Sequence, residues 1–206
     1  MKKVFLSALM TLGAASTMAA DVFYNPLPSN GNQSFSGMLG NDFLVNRDVT
    51  VSAIGAFTGN TAGFSGTIQV GLYDITNLAA ITTVISPYTF SGAGGETPYT
   101  WQSATATLLA GHIYSVQASG YGLDPNGNTN YGGTISFDNF GGALTRGSGR
   151  WANGASLGVA GTSGAFTFGA GNVQLVPEPE TYALLLAGLG LVGGIARRRK
   201  QRPTMV

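Results

Sequence analysis

Thr67-Ile68-Gln69-Val70-Gly71-Leu72-Tyr73 sets Ile68, Val70 and Leu72 at every second position, with Thr67, Gln69 and Tyr73 on the alternate side. A period of two places one set on each face of an extended strand, whereas a helix would need a period of 3.6. Asp48-Val49-Thr50-Val51-Ser52-Ala53 alternates in the same way. Outward from these, 81–85, 99–108, 112–118, 134–137 and 165–175 are rich in Thr, Val, Ile and aromatic residues, as half-buried strands are. Turn clusters separate them: Gly92-Ala93-Gly94-Gly95, Asp124-Pro125-Asn126-Gly127-Asn128 and Gly141-Gly142. Short strands joined by Gly-rich turns predict an all-β domain over 21–175, a β-sandwich or jelly roll. About 150 residues suffice for one core.

The chain has 206 residues, no Cys and one His (His112). These counts exclude disulfides, a thiolate zinc site, a Cys nucleophile and a multi-His metal site. Charged residues make up only 9%, and the formal net charge is +1. That sum hides an asymmetry. Residues 21–176 carry Arg47, Arg146 and Arg150 against Asp21, Asp42, Asp48, Asp74, Glu96, Asp124 and Asp138, a net charge of −4. A middle with three cations and no Lys has no phosphate-binding footprint, so no nucleic-acid partner is expected.

Both ends read as addresses. Lys2 and Lys3 precede the apolar run 4–12, and small residues follow. This order predicts a signal peptide over 1–20, cut by signal peptidase after Ala19 or Ala20. At the other end, 176–202 contains Pro177-Glu178-Pro179, an uncharged apolar run of 16 residues at 181–196, and Arg197-Arg198-Arg199-Lys200. As a helix the run extends about 24 Å, short of a hydrocarbon core of about 30 Å. Snorkelling arginines and a thinned bilayer make up the difference, so a transmembrane sorting helix is expected. The basic cluster stays cytoplasmic by the positive-inside rule, leaving 21–176 outside.

This three-part tail resembles the PEP-CTERM sorting signal of Gram-negative bacteria in order and spacing. The resemblance implies that Pro177, Glu178 and Pro179 are recognised by an exosortase, a membrane cysteine transpeptidase that removes the tail. Glu180 departs from it, standing where the family often has Ser. Val51–Phe57, Val70–Asp74, Ala110–Val116, Gly120–Gly122 and Gly132–Phe137 also resemble a recurrent ectodomain of such proteins, which implies a jelly-roll-like fold.

Motifs that carry chemistry are few. Gly154-Ala155-Ser156-Leu157-Gly158 fits the hydrolase pattern G-x-S-x-G, but the sole His precedes Ser156 and no helix follows. Gly188-Leu189-Gly190-Leu191-Val192-Gly193 fits a dinucleotide pattern inside the apolar tail, with no strand before it. Glu96, Asp124 and Asp138 are the acids available for glycoside chemistry. Asp124, Asn126 and Asn128 suggest the start of a calcium loop, but position twelve falls on Ile135 and the EF-hand pattern fails. Tyr99, Trp101, Tyr121, Tyr131 and Trp151 lie near polar turns and are candidates for stacking on sugars.

The expectation is an exported, non-enzymatic surface or matrix protein. It needs no cofactor, resides transiently in the inner membrane, and is associated with exopolysaccharide or biofilm. The alternative is a carbohydrate-binding module of jelly-roll type; a glycan-active enzyme is third.

Overall fold

The computed structural model describes residues 24–27, 31–59, 63–94, 98–176, 186–190 and 192, without the side chains of 25–27 and 130. Thirteen strands are present among them. They are β1 (Tyr24–Leu27), β2 (Gln33–Phe35), β3 (Met38–Val45), β4 (Val49–Phe57), β5 (Gly63–Asp74), β6 (Thr82–Ala93) and β7 (Tyr99–Leu108). The rest are β8 (Ile113–Ser119), β9 (Tyr121–Asn126), β10 (Thr134–Phe137), β11 (Leu144–Ala152), β12 (Thr162–Gly164) and β13 (Gly171–Leu175). Among the described residues a single 3-10 turn, Thr129–Tyr131, follows β9. The domain is therefore all-β, as the alternating runs predict.

One sheet has six strands in the order β12-β11-β3-β8-β5-β6, and a second has three, β13-β4-β7. Two short ribbons, β1-β10 and β2-β9, complete the set, and every pairing is antiparallel. Ile68, Val70 and Leu72, the face read from the alternation, are fully buried. They join Leu39, Phe43, Val116, Ile54, Phe57 and Val173 in one core drawn from both sheets. The sheets touch at Gly171 of β13, where a β-carbon would come within 3.0–3.4 Å of Val70, Val116 and Ala118. A side chain there would prise the layers apart.

Charge contributes little inside; carboxamides do more. Asn41 donates from Nδ2 to the Phe168 carbonyl and accepts at Oδ1 from the Phe168 amide at 2.9 Å. Asn172 engages both backbone groups of Tyr24 in the same way, at 2.6 and 3.1 Å. Asn32 engages both groups of Asn128, at 2.9 and 2.7 Å. Gln117 holds the loop after β11 through the Val159 carbonyl and the Gly158 amide, at 3.1 and 2.8 Å. Each amide engages both a backbone donor and a backbone acceptor of another segment, as a neighbouring strand's peptide would. Among the described residues, one buried ion pair joins Arg150 to Asp42 at 3.1 and 2.6 Å, with a further bond from Arg150 to the Ala160 carbonyl.

Several boundaries differ from expectation. Strands β7 and β10 match 99–108 and 134–137, whereas β6 continues to Ala93 through the expected turn at Gly92. Pro87 is tolerated because β6 is an edge strand. The cluster at Asp124 is the end of β9 and not a turn, since Asn126 pairs with Gln33 of β2. Only Gly171–Leu175 of the run 165–175 is strand. β1, β2, β3, β9, β11 and β12 were not foreseen from the alternation.

At the C-terminal end, 186–190 and 192 are helical, with Leu186, Leu189 and Val192 exposed. Among the described residues no helix is long and apolar enough to cross a membrane. The rest of the expected sorting helix and the signal peptide lie outside the described residues.

Candidate functional site

A cleft of about 310 Å³ opens where the β2-β9 ribbon meets the edge of the six-stranded sheet. β2 supplies Gln33 and Phe35, and β3 supplies Leu39. Asn128 and Tyr131 come from the turn after β9, and Trp151 comes from β11. The segment after β12 closes the wall with Phe166 and Phe168.

Sequence explains why these rings stand where they do. Gly37 has no side chain, and a β-carbon there would lie 2.6 Å from the Phe35 ring. Gly164 leaves the same room beneath Phe166. Phe166 in turn packs edge-on against Phe168 at 5.5 Å and 60°, an arrangement that aromatic quadrupoles favour. Phe168 is fixed by the Asn41 clamp and bridges antiparallel to Asn128. Asn128 Nδ2 donates to Gln33 Oε1 at 2.7 Å. The wall is therefore aromatic and carboxamide in character, and none of its side chains is charged.

Of the five aromatic candidates, the structure brings Tyr131 and Trp151 together in this cleft. Tyr131 is 64% exposed, and Trp151 is half-buried. Two others are corrected to core residues. Tyr99 and Tyr121 are 1% and 0% exposed, out of reach of any glycan. The Tyr99 hydroxyl donates to the Gly169 carbonyl at 2.9 Å. The Tyr121 hydroxyl donates to the Ala170 carbonyl at 2.6 Å and accepts from the Phe57 amide at 2.8 Å. Burial raises both hydroxyls above the ordinary tyrosine range, so they stay neutral donors. Trp101 lies over Gly55, its cross-strand partner, whose β-carbon would fall 2.5 Å from the indole. It covers a glycine in the small sheet and does not line the cleft. Sequence reasoning missed Phe35, Phe166 and Gln33, which sit in short strands and loops with no local pattern.

Most of the remaining polar candidates that are described make local hydrogen bonds. Asp124 accepts from the Ser65 and Gly66 amides at 2.7 and 2.8 Å, so both its oxygens are used. Asn126 Nδ2 donates to the Gln33 carbonyl at 3.0 Å. No group of three or more His, Asp or Glu residues forms among the described residues. Asp138 accepts from the Phe140 amide at 2.7 Å, and Asp48 accepts from the Ala110 amide at 2.8 Å. His112 Nδ1 lies 2.6 Å from Asp74 Oδ2, and its ring stacks on Tyr114. Burial pushes the Asp74 carboxyl up, but bonds from Thr76 and His112 outweigh it and hold the group below its ordinary value. Ser156 is exposed in the loop after β11. Glu96 lies outside the described residues.

Pro177, Glu178, Pro179, Arg197, Arg198, Arg199, Lys200, Ala19 and Ala20 also lie outside the described residues. The residue just before them is placed: after β13 ends at Leu175, the Val176 amide donates to the Thr50 carbonyl at 2.8 Å. The model of the PEP-CTERM protein-sorting motif matches residues 175–200. A comparison with curated proteins finds no match.

Proposed function

We propose, from the PEP-CTERM sorting motif that this chain carries, that its β-domain is a non-enzymatic structural component of the cell surface or extracellular matrix. The motif marks an exosortase-targeted, exported protein that transits the membrane. In this reading signal peptidase first removes 1–20, and the tail then holds the chain in the inner membrane with Arg197–Lys200 inside. Exosortase cuts near Pro177–Pro179, and the freed domain joins the exopolysaccharide matrix. The domain itself is read as a jelly-roll-like β-sandwich ending at 175.

One observation carries the proposal: the sorting motif begins where the last strand ends. All thirteen described strands lie before Val176, so cleavage at 177–179 removes no element of either sheet. Prolines at 177 and 179 favour extended backbone, the form a processing enzyme can thread. The exposed Leu186, Leu189 and Val192 suit a lipid environment.

The non-enzymatic part is supported by the polar groups. Each described acid has a local partner: Asp42 has Arg150, Asp48 and Asp138 have backbone amides, Asp74 has His112, and Asp124 has two amides. Replacing Pro177-Glu178-Pro179 with three alanines tests the sorting claim. Fractionation should then find the chain retained in the inner membrane. Unchanged release to the surface would overturn the proposal.

A further inference from the structure

The aromatic cleft has the chemistry of a neutral-sugar site. Its volume of about 310 Å³ lies at the lower end of small-ligand pockets. Tyr131 and Trp151 offer π-faces, which suit the C–H face of a pyranose ring. Gln33 and Asn128 offer uncharged hydrogen-bonding groups beside them. Asn128 occupies Gln33 Oε1, and Gln33 Nε2 makes no hydrogen bond among the described residues, so it is a ready donor to a hydroxyl. No lining side chain would attract a phosphate, a carboxylate or an ammonium group.

Part of the wall is also preorganised. Gly37 and Gly164 seat Phe35 and Phe166, and the Asn32 and Asn41 clamps fix Asn128 and Phe168, the two bridged residues that line the cleft side by side. A site built on fixed elements loses little conformational entropy on binding.

We infer that this cleft binds a neutral saccharide of one or two rings, stacked on Trp151 and Tyr131 and hydrogen-bonded by Gln33. The inference deepens the matrix reading by giving the domain a means of holding polysaccharide, and it rests on that reading only for the source of the sugar.

The chain's two tryptophans provide the assay. In the full chain in lipid nanodiscs, Trp101→Phe leaves Trp151 as the sole indole. Its emission should change saturably on titration with cellohexaose, laminarihexaose or maltohexaose. Tyr131→Ala in the same background should weaken the response at least tenfold. Tyr131 is exposed, so this variant keeps its fold. Gln33→Leu should weaken it about fivefold. Response to none of the three sugars overturns the inference, as does a response unaltered by Tyr131→Ala. Saturation by a fatty acid or polyuronate alone also overturns it, since the occupant would then be apolar or charged. Tail processing does not enter this measurement. A chain that is cut but binds no sugar refutes only the cleft, and one that binds but is not cut refutes only the sorting proposal.

Discussion

Asn41→Leu isolates the carboxamide clamps, because leucine nearly matches asparagine in size and removes only the amide. In the native chain Asn41 is 1% exposed, and Phe168 is 3% exposed. The strand bridge between Asn128 and Phe168 does not satisfy Phe168 itself. Its ladder bonds run from Thr129 to Thr167 and from Gly169 to Gly127. The amide and carbonyl of Phe168 therefore depend on Asn41, and leucine leaves one donor and one acceptor buried. At about 1–3 kcal/mol for each unsatisfied group, the loss is about 2–6 kcal/mol. Asn32→Leu is the matched control. It also removes a two-way clamp, but the Asn128 carbonyl keeps the Gly133 amide at 3.2 Å, so the cost falls to about 1–3 kcal/mol. With a urea slope of about 2 kcal/mol/M, Asn41→Leu lowers the unfolding midpoint by about 1–3 M. Tryptophan fluorescence would follow the transition, and hydrogen exchange would show amides near Phe168 opening first. A midpoint shift no larger than that of Asn32→Leu would refute the reasoning, because orphaned backbone groups would then carry no special cost.

Arg150→Met strands the Asp42 carboxylate in the six-stranded sheet. It should destabilise by about 3–5 kcal/mol, and adding Asp42→Leu should recover most of that. Calorimetry checks it, and a double variant no better than the single would count against the pairing. Asp74 predicts a response to acid. Its folded pKa lies below the unfolded value of about 3.9, so its contribution is complete above that pH and is lost as pH falls through the lower folded value. Asp74→Asn should flatten the stability curve below about pH 4, and an unchanged acid limb in urea titrations would exclude Asp74 as a source.

The strands that could be read from sequence are those whose alternation is unbroken. β5 shows its buried face directly, and so Ile68, Val70 and Leu72 mark the core. β3 is the opposite case. It is central and buried on both sides, yet Asn41 and Asp42 interrupt its apolar run. Their partners, Phe168 and Arg150, are more than 100 residues away, and nothing local announces them. β11 reads as a loop because Gly147 and Gly149 flank its register shift. The Asp124 cluster has turn composition, but its carboxylate serves the Ser65 and Gly66 amides from a strand. The cleft was half legible. Tyr131 and Trp151 stood out as aromatics beside polar turns, while Tyr99 and Tyr121 shared that description and proved to be core. Distinguishing them required the fold, because neighbours in space decide whether a ring faces solvent. The sorting motif was legible as a pattern, and the family model matches it at 175–200, since it is written in consecutive residues.

The most direct test of the sorted-domain reading is the intact mass of the protein recovered from the cell surface or matrix. The proposal predicts a chain that starts at residue 20 or 21, ends near 177–179 and lacks Arg197 to Lys200. A surface form that retains the basic cluster would contradict it.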